Sequence, residues 1–444
     1  MKLPCRPWFN CTIPSPRAWP PPAAFDLAAT LRDIRTRDRY GHTIHLVAAL
    51  LFAFLAPLDH GPNSVSSAIL LGVFITRALV HPALFTPLLL WPPFWLALAW
   101  VGWMGLSASW STAEHPARLV GGQRLLLGVM SLFPMLEYSR AIAWALIASA
   151  STNASVQIAQ KFGVMPLPDG DSWRPSGIVA LPAVAAMNAG SAILLTLALW
   201  TKERLAGRVV ATLTLALCAT GMALAASRQP VLALVPALAL LAFLLVRWGH
   251  ASWRTVASGF VALFLLSALA IPLVGEGLLR YLASAQSETA AALRGEVGFS
   301  SLHLRLFWWK LAIEQWLTHP WIGGGVGSFT DFVAAHPQTS VFLSESGISR
   351  EEVLQIHPHS TFVRALAETG LVGIGLLGAL LMTVLRAGWR NAAQGGVVVA
   401  GACASFCYFL MTTTTECVEL MNIAYAHLVV IIALCAVPRA TTRV

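Results

Sequence analysis

Histidine and arginine are the residues in this sequence whose placement suggests chemistry. His357-Pro358-His359-Ser360 is followed by Glu368-Thr369-Gly370-Leu371-Val372-Gly373. An imidazole ordinarily titrates near neutrality, so His359 could take a proton from a sugar hydroxyl. The bland alternative is a pair of interfacial histidines with no chemistry. Ser360 is suited to capping the helix that follows, with Gly370 and Gly373 thinning it for a close neighbour. Arg228 lies in Ala226-Ser227-Arg228-Gln229-Pro230 between two apolar runs. Arg305 lies in His303-Leu304-Arg305-Leu306-Phe307-Trp308-Trp309-Lys310. A guanidinium donates two parallel hydrogen bonds and keeps its proton, which suits phosphate or diphosphate. Arg174, before one apolar run, and Arg124, inside another, are weaker candidates with snorkelling roles as the alternative. Glu416 ends Thr412-Thr413-Thr414-Thr415-Glu416. It could orient the histidine, pair with an arginine or simply sit in interfacial water.

Other motifs carry less. The run Gly323-Gly324-Gly325-Val326-Gly327 lacks a Walker lysine and reads first as a tight turn that lets backbones approach, with a phosphate contact as the minor reading. Asp169-Gly170-Asp171 has no further carboxylates beside it and reads as a solvated turn rather than a metal site. The seven cysteines lack metal-ligand spacing, and Cys403 and Cys407 read as buried thiols. Neither metal nor cofactor is expected. A nucleophile elbow and a zinc-protease helix are also absent.

The elements that must position these residues are membrane helices. Of the 444 residues, 57% are hydrophobic and 11% charged. Soluble proteins average about 25% charged, and so few polar groups could not cover a water-soluble surface. The fold expected is an all-α polytopic membrane protein with about twelve transmembrane helices and one large, partly helical periplasmic loop. Spans are placed at 43–58, 65–80, 93–110, 119–136, 139–160, 176–200, 209–227, 229–248, 254–274, 360–385, 395–414 and 420–437. The organisation is residues 1–42 as a cytoplasmic segment with an amphipathic basic helix over 25–39, and 43–274 as the first nine helices. Residues 275–358 form the large loop, 359–437 the last three helices and 438–444 a cytoplasmic tail. The net charge of +9 is spread over the ends of apolar runs rather than gathered in a patch, so no nucleic-acid partner is expected. Lysine and arginine dominate one set of loops, which puts both termini in the cytoplasm and the large loop outside. Within that loop Phe307, Trp308, Trp309, Trp316, Trp321 and Phe329 suffice to pack a small cap.

The combination of His359-Ser360, nine residues and Gly370-Leu371-Val372-Gly373 resembles the histidine signature of bacterial O-antigen ligases. The stretch from Arg305 through Trp309 and His319-Pro320-Trp321 to Gly323–Phe329 is similar to a loop shared with O-antigen polymerases and O-oligosaccharyltransferases. Ser227-Arg228 and Arg174-Pro175-Ser176-Gly177 resemble two further features of that superfamily, so the likeness covers about 170–420. In the ligase pattern a leucine stands at the fourth residue after the loop arginine, whereas Trp309 stands there after Arg305. Arg350 has the leucine spacing, through Leu354, and is the fallback for that arginine.

The resemblance implies a lipid-dependent (GT-C type) glycosyltransferase, multi-pass in the bacterial inner membrane, with its site on the periplasmic face. The partners implied are undecaprenyl-diphosphate-linked O-antigen and lipid A–core oligosaccharide, besides membrane lipids. His359 would be the general base. Arg305 and Arg228 would hold the diphosphate, and Arg174, His357, Glu416 and Arg124 would be substrate-side residues. Alternatives are an O-antigen polymerase, a protein O-oligosaccharyltransferase and, from another class, a lipid-linked glycan transporter. A transporter should show broken or charged helices at mid-membrane and repeated halves, neither of which is evident in the sequence.

Overall fold

A computed structural model describes residues 35–167, 174–268, 301–339, 357–394 and 396–436, with a few isolated positions between 283 and 290. Among the described residues the secondary structure is helical and contains no strand. The helices are α1 (Arg39–Leu55), α2 (His60–Val80), α3 (Pro92–Ser107), α4 (Pro116–Gly122), α5 (Leu127–Leu132) and α6 (Ser139–Lys161). They continue with α7 (Pro182–Trp200), α8 (Leu205–Leu224), α9 (Arg228–Arg247) and α10 (Trp253–Ala268). The last five are α11 (Ser301–Thr318), α12 (Ser328–Ala335), α13 (Thr361–Ala392), α14 (Gly396–Thr412) and α15 (Asn422–Cys435).

Six helical segments are long and apolar enough to cross a bilayer: α2, the α4–α6 run, α7, α8, α9 and α13. Helices α1, α10, α14 and α15 are shorter and also apolar. The protein is thus a multi-pass helical membrane protein, and six of its spans are full length among the described residues. The expected spans 119–136 and 139–160 fall in one run, interrupted by 3-10 turns at Gln123–Leu126 and Phe133–Tyr138. Much of the expected outer loop, and most of the expected amphipathic helix, lie outside the described residues.

Helix α7 is the centre of the bundle because it is apolar all round, with Pro182 preset for its first turn. It packs on α6, α8, α9 and α14. Hydrocarbon gives no hydrophobic drive between helices, so close contact and polar bonds have to hold them. Both occur: the Tyr408 hydroxyl lies over Gly190 and donates to the Ala186 carbonyl at 3.3 Å, and His427 Nε2 meets Ser191 Oγ at 3.0 Å.

The bundle has two chemically different ends. At one, Arg140 pairs with Glu203, and the Asn391 amide donates to the Cys435 carbonyl at 3.0 Å. Lys202, Arg204, Arg208, Arg247, Arg254, Arg386 and Arg390 belong to the helix ends and turns there. The opposite end carries the start of α9, the start of α13 and the end of α14.

Helix α13 is not one straight rod. Gly370 has φ 65° and ψ −166° and turns the chain sharply. Phe362 and Ala365 before the bend share an apolar cluster with Ile374, Leu377 and Leu381 after it. Gly370 therefore bends the helix, where sequence alone suggested a thin place in a continuous one.

Candidate active site

Two carbonyls and two amides released at the bend are taken up by the segment 320–325, as buried backbone groups require. The amides of Gly324 and Gly325 donate to the carbonyls of Ala367 and Glu368 at 3.0 and 2.9 Å. Those of Leu371 and Val372 donate back to Pro320 and Trp321 at 2.9 and 3.2 Å. A Cβ on Gly323 would enter the Glu368 peptide, and one on Gly370 would strike the Trp321 carbonyl. The glycine run is thus the close-approach turn expected of it. It fixes α11, which precedes it, against α13.

Below this zipper α11 and α12 pack a small core of Trp308, Leu311, Phe329 and Val333 against Ala367 of α13. Trp308 and Phe329 join the aromatic cap as expected, but Trp321 is 69% exposed and stays outside it. The same helix presents Arg305 and Trp309 to the turn before α13. Ser360 caps α13, its side chain accepting from the Val363 amide at 3.3 Å. Thr361 donates from its amide to the Thr413 carbonyl at 3.1 Å and to the Glu416 carbonyl at 3.2 Å, and from its hydroxyl to the latter at 3.1 Å. The end of α14 is thereby tied to the residue two beyond His359.

These ties bring three residues together that are up to 111 positions apart. Arg305 Nη2 donates to Glu416 Oε1 at 3.0 Å. His359 Nδ1 lies 3.5 Å from Glu416 Oε2, a close approach rather than an aligned hydrogen bond. Glu416 is 7% exposed, whereas the His359 side chain is 37% exposed. A buried carboxylate thus holds a guanidinium on one oxygen and faces an accessible imidazole with the other. Chemically, that set can accept a proton at the ring nitrogen turned from Glu416 and stabilise the imidazolium formed. It also presents positive charge to an anion.

His357 lies beside His359 with the rings tilted by 49° and their centroids 4.3 Å apart, and its Nδ1 accepts the His359 amide at 3.2 Å. Burial, followed by the charges of His359, Arg364 and Arg305, pushes its pKa down to about 3. It is therefore a neutral acceptor at pH 7. One turn into α13, Arg364 Nε donates to Glu368 Oε1 at 3.1 Å in a buried pair.

Arg228 opens α9, and the neighbouring Gln229 amide donates to the Thr412 carbonyl. This places Arg228 at the end of the bundle that carries Glu416. Arg174 precedes a loop that α6 holds by three amides. Asn153 Nδ2 donates to the Ser176 carbonyl at 3.1 Å, and Gln160 Oε1 accepts from Gly177 at 2.9 Å. Gln157 Nε2 bridges the carbonyls of Pro175 at 2.9 Å and Gly221 at 3.1 Å, tying the Arg174 loop to the end of α8 that leads to Arg228. Sequence reading overlooked these amides, although their spacing of four and three marks one helix face. Arg124 lies in the 3-10 turn Gln123–Leu126, and its side chain lies outside the described residues. Arg350, Asp169 and Asp171 lie outside them too. Among the described residues no three His, Cys, Asp or Glu groups are arranged to hold a metal ion.

An apolar cavity of about 250 Å³, walled by Trp91, Leu98, Val101, Met130 and Leu380, opens between α3, α5 and α13. An adjoining cavity shares Gln123, Leu126, Leu380, Val384 and Ile432 with it. The second reaches Thr361, which donates to the Glu416 carbonyl, and Thr413, whose carbonyl accepts the Thr361 amide. Apolar space thus ends beside the backbone turn that carries the charged cluster.

Residues 213–378 match the family model described as O-antigen ligase, a family of glycosyltransferase-like membrane enzymes. It includes Arg228, Arg305, the glycine run, His359 and Gly370, and ends before Glu416. No curated protein matches the chain. The match supports a function of the O-antigen ligase or polymerase type, with lipid-linked polysaccharide and lipid substrates in general.

Proposed function

We propose that this protein is an O-antigen ligase of the bacterial inner membrane, working at the periplasmic face. It would transfer O-antigen polysaccharide from undecaprenyl diphosphate to a sugar hydroxyl of lipid A–core. The observation that carries this reading is Glu416 lying between Arg305 and His359, with an apolar cavity reaching the neighbouring Thr361 and Thr413. The crowding of basic residues at the opposite end supports the orientation, since cytoplasmic loops carry the excess of lysine and arginine.

In this reaction His359 takes the proton of the acceptor hydroxyl as its oxygen attacks the anomeric carbon. The bond from that carbon to the diphosphate oxygen breaks, and undecaprenyl diphosphate leaves with both electrons. Direct displacement inverts the anomeric centre. Glu416 stabilises the imidazolium, while Arg305 and Arg228 stabilise charge growing on the leaving group; one such contact is commonly worth about 10²–10³ in rate. Arg174, on a loop tied to the same end, is a donor contact. His357 serves His359 through its backbone. No metal or nucleotide enters the scheme.

The test is transfer by purified protein in liposomes with purified donor and acceptor. His359→Ala should lose about 10²–10⁴ in rate while still binding donor. Near-normal transfer by that variant would remove the general base from the scheme. Product built on a second lipid-linked chain rather than lipid A–core would make the protein a polymerase.

A further inference from the structure

His359 has φ 49°, in the left-handed region that side-chain-bearing residues seldom occupy. A backbone of this kind persists only where its surroundings hold it, and such positions gather at functional sites. Two bonds hold it here. The His359 amide is taken by His357 Nδ1 at 3.2 Å. The carbonyl of the preceding Pro358 accepts the Trp309 indole N–H at 2.7 Å. Trp309 lies one helical turn beyond Arg305, so a single helix grips both sides of the histidine. Its arginine takes the carboxylate that faces the imidazole, and its tryptophan takes the peptide that carries it. The α11 helix is itself fixed by the core around Trp308 and Phe329.

We propose that Trp309 is a positioning residue for His359: its indole N–H holds the Pro358 carbonyl and so keeps the imidazole turned to Glu416. This rests on the proposed role of His359 as base. Loss of the N–H lets the Pro358–His359 peptide rotate toward an ordinary backbone conformation, carrying the imidazole away from Glu416. The bulk of the indole is not what matters. Phenylalanine keeps a ring at this half-buried position and lacks the donor.

The test compares wild type with Trp309→Phe in two measurements. The first is the rate at which diethyl pyrocarbonate modifies His359, followed by peptide mass spectrometry in liposomes; it needs neither donor nor acceptor. A change of threefold or more at His359, with His319 unchanged, is expected, and an unchanged His359 rate overturns the proposal. The second is transfer. A displacement of about 1 Å can cost about 10²-fold, so kcat should fall about 10- to 100-fold with donor KM within twofold. In a His359→Ala background rescued by added imidazole, Trp309→Phe should have no further effect, because a free base is not held by the chain. An equal loss in both backgrounds would make Trp309 a packing residue and overturn the assignment. Should wild type make no product, the ligase reading fails while the modification rates still decide the positioning claim.

Discussion

Replacing Glu416 by glutamine removes one negative charge and little volume. The new side chain still accepts from Arg305 through its oxygen, at the position where Oε1 now sits 3.0 Å from Nη2. Its amide nitrogen cannot stabilise an imidazolium at the 3.5 Å separation of His359 Nδ1. Opposite unit charges at that distance attract by about 4–5 kcal/mol at an effective dielectric near 20. The His359 side chain is 37% exposed, so solvent screening brings this to about 2 kcal/mol. Arg305 then faces the histidine uncompensated, which works in the same direction. The expected loss in kcat is about 30-fold, with the acceptor KM little changed. Initial rates in liposomes at saturating donor measure it, and a melting curve of the same samples separates a charge effect from unfolding. A Glu416→Gln protein that melts normally and turns over within threefold of wild type would show that the carboxylate contributes nothing to the proton transfer.

Two further outcomes follow from the bend and from His357. Gly370→Ala places a Cβ against the Trp321 carbonyl at φ 65°, at a cost of at least about 1–3 kcal/mol; it should lower the melting temperature and the folded yield, and an unaltered melting curve would contradict the zipper. His357, neutral when folded because its pKa is pushed down to about 3, binds a proton more readily when unfolded. Its contribution is therefore complete above about pH 6.5 and is lost as pH falls, by about 2 kcal/mol at pH 5. His357→Asn keeps an acceptor near Nδ1 but cannot titrate, so its melting temperature should fall less between pH 7 and pH 5 than that of wild type; parallel curves would contradict the assignment.

The membrane class was legible because lipid forces a coarse signal on the chain: apolar runs long enough to cross, with cations at their ends. His359, Arg305, Arg228 and Glu416 were legible as types, since an imidazole, guanidinium or carboxylate beside an apolar run is costly without a use. The meeting of His359, Arg305 and Glu416 was not, nor the placement of Arg228 at the same end, because both depend on bonds that residue type does not announce. Thr361 finds the Thr413 and Glu416 carbonyls, and Gln229 finds Thr412. The bend was hidden for another reason. Gly370 and Gly373 in an apolar helix normally signal close packing, and only the partner loop 320–325 turns one of them into a break. The ladder Asn153–Gln157–Gln160 was visible in the spacing but was absorbed into a span counted for apolarity. Trp309 was noticed as a departure from a pattern, while its use is visible only from the Pro358 carbonyl it meets.

The bend and the charged cluster have one physical cause in common. A straight helix satisfies its own backbone and so offers a loop nothing but side chains. Breaking α13 at Gly370 exposes the carbonyls of Ala367 and Glu368 and the amides of Leu371 and Val372, and in an apolar setting these must find partners. The segment 320–325 can reach them because Gly323 puts no side chain between it and the Glu368 peptide. Four backbone bonds then fix where α11 ends, and α11 in turn fixes Arg305 and Trp309 one turn apart beside His359. Backbone pairing does not depend on side-chain charge, so the histidine can take a proton beside the carboxylate without loosening the frame that holds them. Substitutions in the glycine run should therefore reduce transfer through displacement of Arg305.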